Sequence, residues 1–245
     1  MKERIQNVSS YIKDIIDIHH KKKIQILNEL ILIQEIKRKN PYLFLANNVL
    51  LSGDVVKSII DERLSIYEEF AIDDLLKNVA LFITSIVYNG RKSKIEGIDI
   101  EFDYNNTRYI VLIKTSSTWE NNYQVQKMKE LFKKAKTLLR KSQTELNIVA
   151  VNGCCYGIEK KANKGDYYKY CGQEFWEFIS HDSEMYTKLI EPLRIALKEK
   201  EEEFWDSYYR LLNQFTLEFS QQFCRDGKID WTRIVQINSS HSPQE

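Results

Sequence analysis

An aspartate and a lysine sit where two short β-strands would meet. Lys94-Ile95-Glu96-Gly97-Ile98-Asp99-Ile100-Glu101-Phe102 alternates apolar and polar residues, the period-2 pattern of a strand, and Arg108-Tyr109-Ile110-Val111-Leu112-Ile113-Lys114 is an otherwise hydrophobic strand that ends on a lysine. Tyr104-Asn105-Asn106-Thr107 supplies a turn between them. Asp99 stands near the start of one strand and Lys114 at the end of the other. A carboxylate can hold a divalent cation, the Ile113 carbonyl offers a second oxygen, and an ammonium can polarise water or stabilise charge on a phosphate. That combination sketches a metal-dependent phosphodiesterase site, with Mg²⁺ the expected ion. The plainer alternatives are an acid on the exposed face of an edge strand and a lysine meeting solvent at a strand end.

Two residues before Lys114, on the same strand face, a second carboxylate would help to cage the ion. That position is Leu112, which cannot ligate it. Three glutamates are candidates to replace it: Glu101, which shares the face of Asp99 if the strand is regular, Glu96 at the strand's entry, and Glu69 on the preceding helix. Each reads equally as a solvated charge. After Lys114 come Thr115-Ser116-Ser117-Thr118-Trp119 and Asn121-Asn122. Hydroxyls there can hydrogen-bond phosphate, the indole can stack, and the free amides of a helix start at Asn122 can hold an anion. Ser116, Trp119 and Asn122, with Lys92 and Lys94 ahead of the hairpin, are the candidate DNA contacts.

Other groups carry weaker signals. Cys154, Cys155 and Cys171 lack the paired spacing of a structural zinc site, and adjacent cysteines make an awkward disulfide framework, so free thiols are expected. His19-His20 beside Lys21-Lys22-Lys23 reads as a solvated helix face or as a phosphate-touching patch.

The rest of the chain must position the hairpin. Its 245 residues, 43% hydrophobic and 29% charged, with a net charge of +1, suit a globular protein and exclude a disordered one. The net charge neither demands nor excludes nucleic acid, because a nuclease needs only a locally basic cleft. No apolar run approaches the ~18 residues of a membrane span and no secretory signal is apparent, so a cytoplasmic protein without a membrane partner is expected. Helical spacing covers 2–38, ending at Asn40-Pro41, and resumes from Ser52, again from about Glu68 to Val87, and over 121–142. Leu146 to Val151 reads as a buried strand, 167–171 as another, and Gln173 to Ile179 as a short helix. Helix follows from Ser183 to about Cys224, divided or kinked at Pro192. The organisation expected is a helical arm over 1–39, a main domain over 40–238 with C-terminal helices, and a disordered tail over 239–245. Helix, two or three strands, helix and strand over 68–151 are the minimum of an α/β nuclease core.

Four segments carry a resemblance. They are Gly97 to Phe102, Tyr109 to Lys114, Val149-Ala150-Val151-Asn152-Gly153-Cys154-Cys155-Tyr156-Gly157, and Lys169-Tyr170-Cys171-Gly172-Gln173-Glu174-Phe175-Trp176-Glu177-Phe178-Ile179. Together they resemble type II restriction endonucleases of the PD-(D/E)xK superfamily that recognise interrupted palindromes of the GG-N-CC kind. The likeness runs from about Asn40 to Leu193. It implies a restriction-endonuclease-like α/β core, a mixed sheet flanked by helices, with helical N- and C-terminal elaborations. It further implies a Mg²⁺-dependent homodimer that cuts both strands of DNA within a restriction-modification system, with no organic cofactor. The family's aspartate falls on Asp99 and its lysine on Lys114, while the superfamily's glutamate falls on Leu112. The rival reading is a DNA-binding protein on a nuclease fold whose metal site has degenerated.

Overall fold

Two asparagines close the hairpin. In the computed structural model, which describes residues 2–116, 118, 121–142, 147–198 and 201–240, Asn105 and Asn106 take φ of 49° and 55°. Positive φ at both central residues is what a two-residue hairpin turn demands, and asparagine tolerates it. Upstream lie α1 (Lys2–Glu29), α2 (Leu32–Arg38), α3 (Pro41–Ala46), α4 (Ser52–Tyr88) and β1 (Arg91–Lys92). The hairpin is β2 (Ile100–Tyr104) and β3 (Thr107–Lys114), followed by α5 (Asn122–Ser142), β4 (Asn147–Cys154) and β5 (Tyr168–Cys171). Then come α6 (Gln173–Ser180), α7 (Met185–Lys188), α8 (Ile190–Lys198), α9 (Glu201–Phe223), β6 (Cys224–Arg225), β7 (Lys228–Ile229) and α10 (Trp231–Ser239).

The main sheet runs in the order β1-β2-β3-β4-β5. The β1–β2 and β2–β3 pairs are antiparallel, and β3–β4 and β4–β5 are parallel. A parallel pair cannot be joined by a tight turn, so α5 makes the β3-to-β4 crossover. The expected mixed sheet flanked by helices is the fold observed. Alternation along β3 builds a core on each face. Val111 and Ile113 pack with Ile100, Phe102, Val151 and the α4 residues Leu75, Val79 and Ile83. Ile110 and Leu112 pack with Ile148, Ala150 and the α5 residues Met128, Phe132 and Ala135.

The chain divides into two compact units, residues 1–16 with 72–196 and residues 17–71 with 197–245. The sheet and both of its cores belong to the first. The second has its own core, built from Leu27, Leu32, Val56, Ile59, Ile60, Phe215, Phe219 and Phe223 among others. α1 and α4 each contribute residues to both units. Some differences from the sequence reading are local. Helix is interrupted at Leu30 and Ile31, and Pro41 opens α3 rather than only ending a helix, with the Asn40 side chain accepting from the Tyr42 amide. Proline is tolerated at a first helical position because no bond is lost there. The two helices expected over 52–87 are one of 37 residues. Of the expected tail, Ser239 ends α10 and Ser240 caps it; 241–245 lie outside the described residues. Among the described residues no helix is long and apolar enough to cross a membrane.

Candidate active site

Asp99 lies just ahead of β2 and is held from three sides. Its amide donates to the Val111 carbonyl at 2.9 Å and its carbonyl accepts from Ser93 at 3.1 Å. Its carboxylate oxygen Oδ2 accepts the Ile113 amide at 2.6 Å. Ile100 is the register partner of Val111, so Asp99 and Ile100 stand together against one residue of β3. Two residues opposing one is the arrangement of a β-bulge, a device that re-aims a side chain beside a site. The side-chain pattern agrees. Ile98 packs in the core under α5 and Ile100 in the core under α4, which regular alternation would forbid for residues two apart.

This break decides the standing of Glu101. Regular spacing would have put it on the face of Asp99, but the strand is not regular there. Glu101 is only 4% exposed and its carboxylate is occupied, by Arg91 at 3.1 Å and by the Ser93 hydroxyl at 2.5 Å. Glu96 is exposed in the turn that precedes Asp99. Glu69 is exposed on α4 and belongs to the other compact unit. Leu112 is 7% exposed and packs as a core residue, so an apolar side chain there has a packing role.

An acid the sequence reading passed over lies beside the end of β3. Asp73 accepts a short hydrogen bond from the Thr115 hydroxyl. Thr115 follows Lys114 directly, and Lys114 in turn follows the Ile113 whose amide binds Asp99. Asp73 is one helical turn beyond Glu69, so both project from the same side of α4. Which turn of α4 meets the sheet depends on packing that spacing alone does not encode. Lys77 lies a further turn on.

Cys155 reports on the same neighbourhood. Its amide donates to the Lys114 carbonyl at 2.9 Å. Burial first, and then the negative charges of Asp73 and Asp99 against the opposing Lys77, push its thiol up to about 12. The thiol therefore stays protonated, and burial with two nearby anions is the reason. Cys154, Cys155 and Cys171 are buried and not joined in disulfides.

The oxygen atoms of Asp99, Asp73 and the Ile113 carbonyl are hard donors. One or two carboxylates with retained waters is the usual holding of Mg²⁺, so this donor chemistry fits that ion. Among the described residues no three of His, Cys, Asp and Glu converge as a ready-made ligand group. Lys114 is half-buried at the end of β3. Of the candidate DNA contacts, Lys92, Lys94 and Asn122 are exposed and Ser116 half-buried. The Ser116 hydroxyl bonds Thr118 at 2.8 Å, and Trp119 lies outside the described residues.

A comparison with curated proteins finds no match. A family model described as type II restriction endonuclease EcoO109I matches residues 6–201, a span that holds the whole main sheet, Asp73, Asp99 and Lys114. That match covers well over half of the 245 residues, and the chain belongs to the family of the type II restriction endonuclease EcoO109I, a family of sequence-specific DNA endonucleases.

Proposed function

We propose that the protein hydrolyses phosphodiester bonds in double-stranded DNA with Mg²⁺, at a short palindromic site, as a homodimer within a restriction-modification system. The observation that carries this reading is the bulge that fixes Asp99 against Ile113, one residue from Lys114, in a chain of this family. Asp99 and the Ile113 carbonyl would hold the cation, and Asp73 would be the second carboxylate in place of the one that Leu112 cannot supply. When bound, the cation supplies charge neutralisation at the phosphate and a lowered pKa for a coordinated water. The chain's own residues do the rest. The Ile113 amide orients the Asp99 carboxylate and leaves its second oxygen available. Thr115 orients Asp73 in the same way. The Lys114 ammonium stabilises the negative charge that grows on the phosphate as water attacks, an interaction strengthened by its half-buried setting.

The paired measurement is cleavage and binding on the same DNA. Asp99→Ala is expected to lower cleavage by about a hundredfold or more while binding measured by fluorescence anisotropy stays near wild type, because phosphate and base contacts carry affinity. Lys114→Ala is expected to behave alike. An Asp99→Ala protein that cuts at the wild-type rate overturns the assignment. Leu112, apolar and packed, favours the second reading, a DNA-binding protein that has lost its metal site. That reading predicts binding by the wild type with no cleavage at any Mg²⁺ concentration.

A further inference from the structure

Beyond β4 the chain forms a loop whose backbone is held in place and two of whose side chains are bare. The Tyr156 amide donates to the Thr115 carbonyl at 3.1 Å, and Gly172 donates to the Cys154 carbonyl at 3.0 Å. The Trp176 indole donates to the Cys155 carbonyl at 2.8 Å. Gly172, at φ 52°, lies so close that a Cβ there would stand 2.6 Å from the Gly157 carbonyl oxygen. On the far side Glu159 accepts the Lys161 amide at 3.0 Å and pairs with Lys164 at 3.0 Å. From this clamped backbone Tyr156 projects 56% exposed and Ile158 88% exposed.

Folding gains nothing from an isoleucine left almost wholly in water, since its apolar area is worth something only when it leaves water. The clamps also mean that little entropy would be lost on covering it. The loop begins beside Thr115, one residue from Lys114, so whatever is bound at Lys114 lies next to it. Lys160 and Lys161 follow, both exposed. Apolar and aromatic tips flanked by cations match a duplex, whose bases accept stacking and wedging while its phosphates attract lysine. We infer that the Tyr156–Ile158 loop reads DNA beside the scissile phosphate. Tyr156 and Ile158 contact bases and sugars, and Lys160 and Lys161 contact adjoining phosphates. This inference rests on the nuclease reading above and adds to it the surface that meets the substrate.

The test is equilibrium binding of the full-length protein to a fluorescent duplex library of random sequence, in chelator, across a series of salt concentrations. Cleavage of the same library with Mg²⁺ is scored alongside. Tyr156→Ala and Ile158→Ser are each expected to weaken binding by about tenfold, with Tyr156→Phe and Ile158→Val close to wild type. Lys160→Ala and Lys161→Ala are each expected to reduce the slope of log affinity against log salt by about one. Circular dichroism melting should not move, since all four side chains are exposed. If all four truncated variants bind as wild type does, the inference is overturned. It is also overturned if they change only the sedimentation of the free protein, which would make the loop a contact between copies of the chain. Wild type that binds without cutting defeats the nuclease reading but leaves the binding comparison to decide the loop.

Discussion

At the scale of residues, the account turns on two acids with different histories. Asp99 was legible because its sequence neighbours are strand-forming and a lysine closes the partner strand. Asp73 was not, because its relation to Thr115 exists only once α4 lies on the sheet. If Asp73 is the second carboxylate, Asp73→Ala should raise the Mg²⁺ concentration for half-maximal cleavage by about tenfold, the effect of losing about 1.4 kcal/mol of ion binding. Thr115→Val is the control, since it removes the hydrogen bond and keeps the acid. Equal effects of both variants would reduce Asp73 to a partner of Thr115. Cys155 offers a test of burial at the same place. An unfolded thiol loses its proton from about its ordinary value of 9.0, whereas the folded one holds it to about 12. In that window the folded state binds more protons, so stability must fall as pH rises. Tyr88, raised to about 12 mainly by burial and then by Tyr104 and Tyr109, acts in the same direction. Urea unfolding between pH 8 and 10.5 should show this decline, and Cys155→Ala should make it shallower. An unchanged slope in that variant would contradict a buried, protonated thiol.

At the scale of elements, the strands and helices of the sheet region were mostly readable from periodicity, and the exceptions have physical causes. The hairpin turn at Asn105-Asn106, β5 and α6 stand where turn chemistry and spacing put them. Asp99 was expected inside a regular strand, yet it lies in a bulge, and a bulge leaves no mark on a two-residue period. A regular strand would put Glu101 on the face of Asp99; with the bulge, its carboxylate instead pairs with Arg91. The end of β4 was also missed. Val151 closes that strand in the sequence reading, but it runs to Cys154, paired on to Lys114 of β3 and Cys171 of β5, and Gly153 lies there against α6. A Cβ at Gly153 would stand 2.2 Å from a ring carbon of Phe175, a buried residue of the core under α4. Gly153→Val should therefore overpack this contact and cost about 1–3 kcal/mol, read as a lower urea midpoint. A variant as stable as wild type would show that α6 is free to move away.

At the scale of the whole molecule, the sequence suggests a helical arm and a nuclease domain, and the chain forms two compact units to which α1 and α4 each contribute residues. Where one helix serves two cores, composition gives no break to read. A palindromic duplex offers two equivalent scissile phosphates, and a two-fold dimer supplies two equivalent sites. Sedimentation velocity should therefore find a dimer, either free or on specific DNA, and a monomer in both states would contradict the homodimer. The central claim is more direct, that this chain cuts DNA at a defined sequence through a cation held at Asp99. It is tested by incubating purified protein with long genomic DNA, with Mg²⁺ or with chelator, and sequencing the fragment ends. The account predicts ends that share one short palindrome with Mg²⁺, and no cutting with chelator or with Asp99→Ala. Intact DNA in Mg²⁺, or ends without a common sequence, would contradict it.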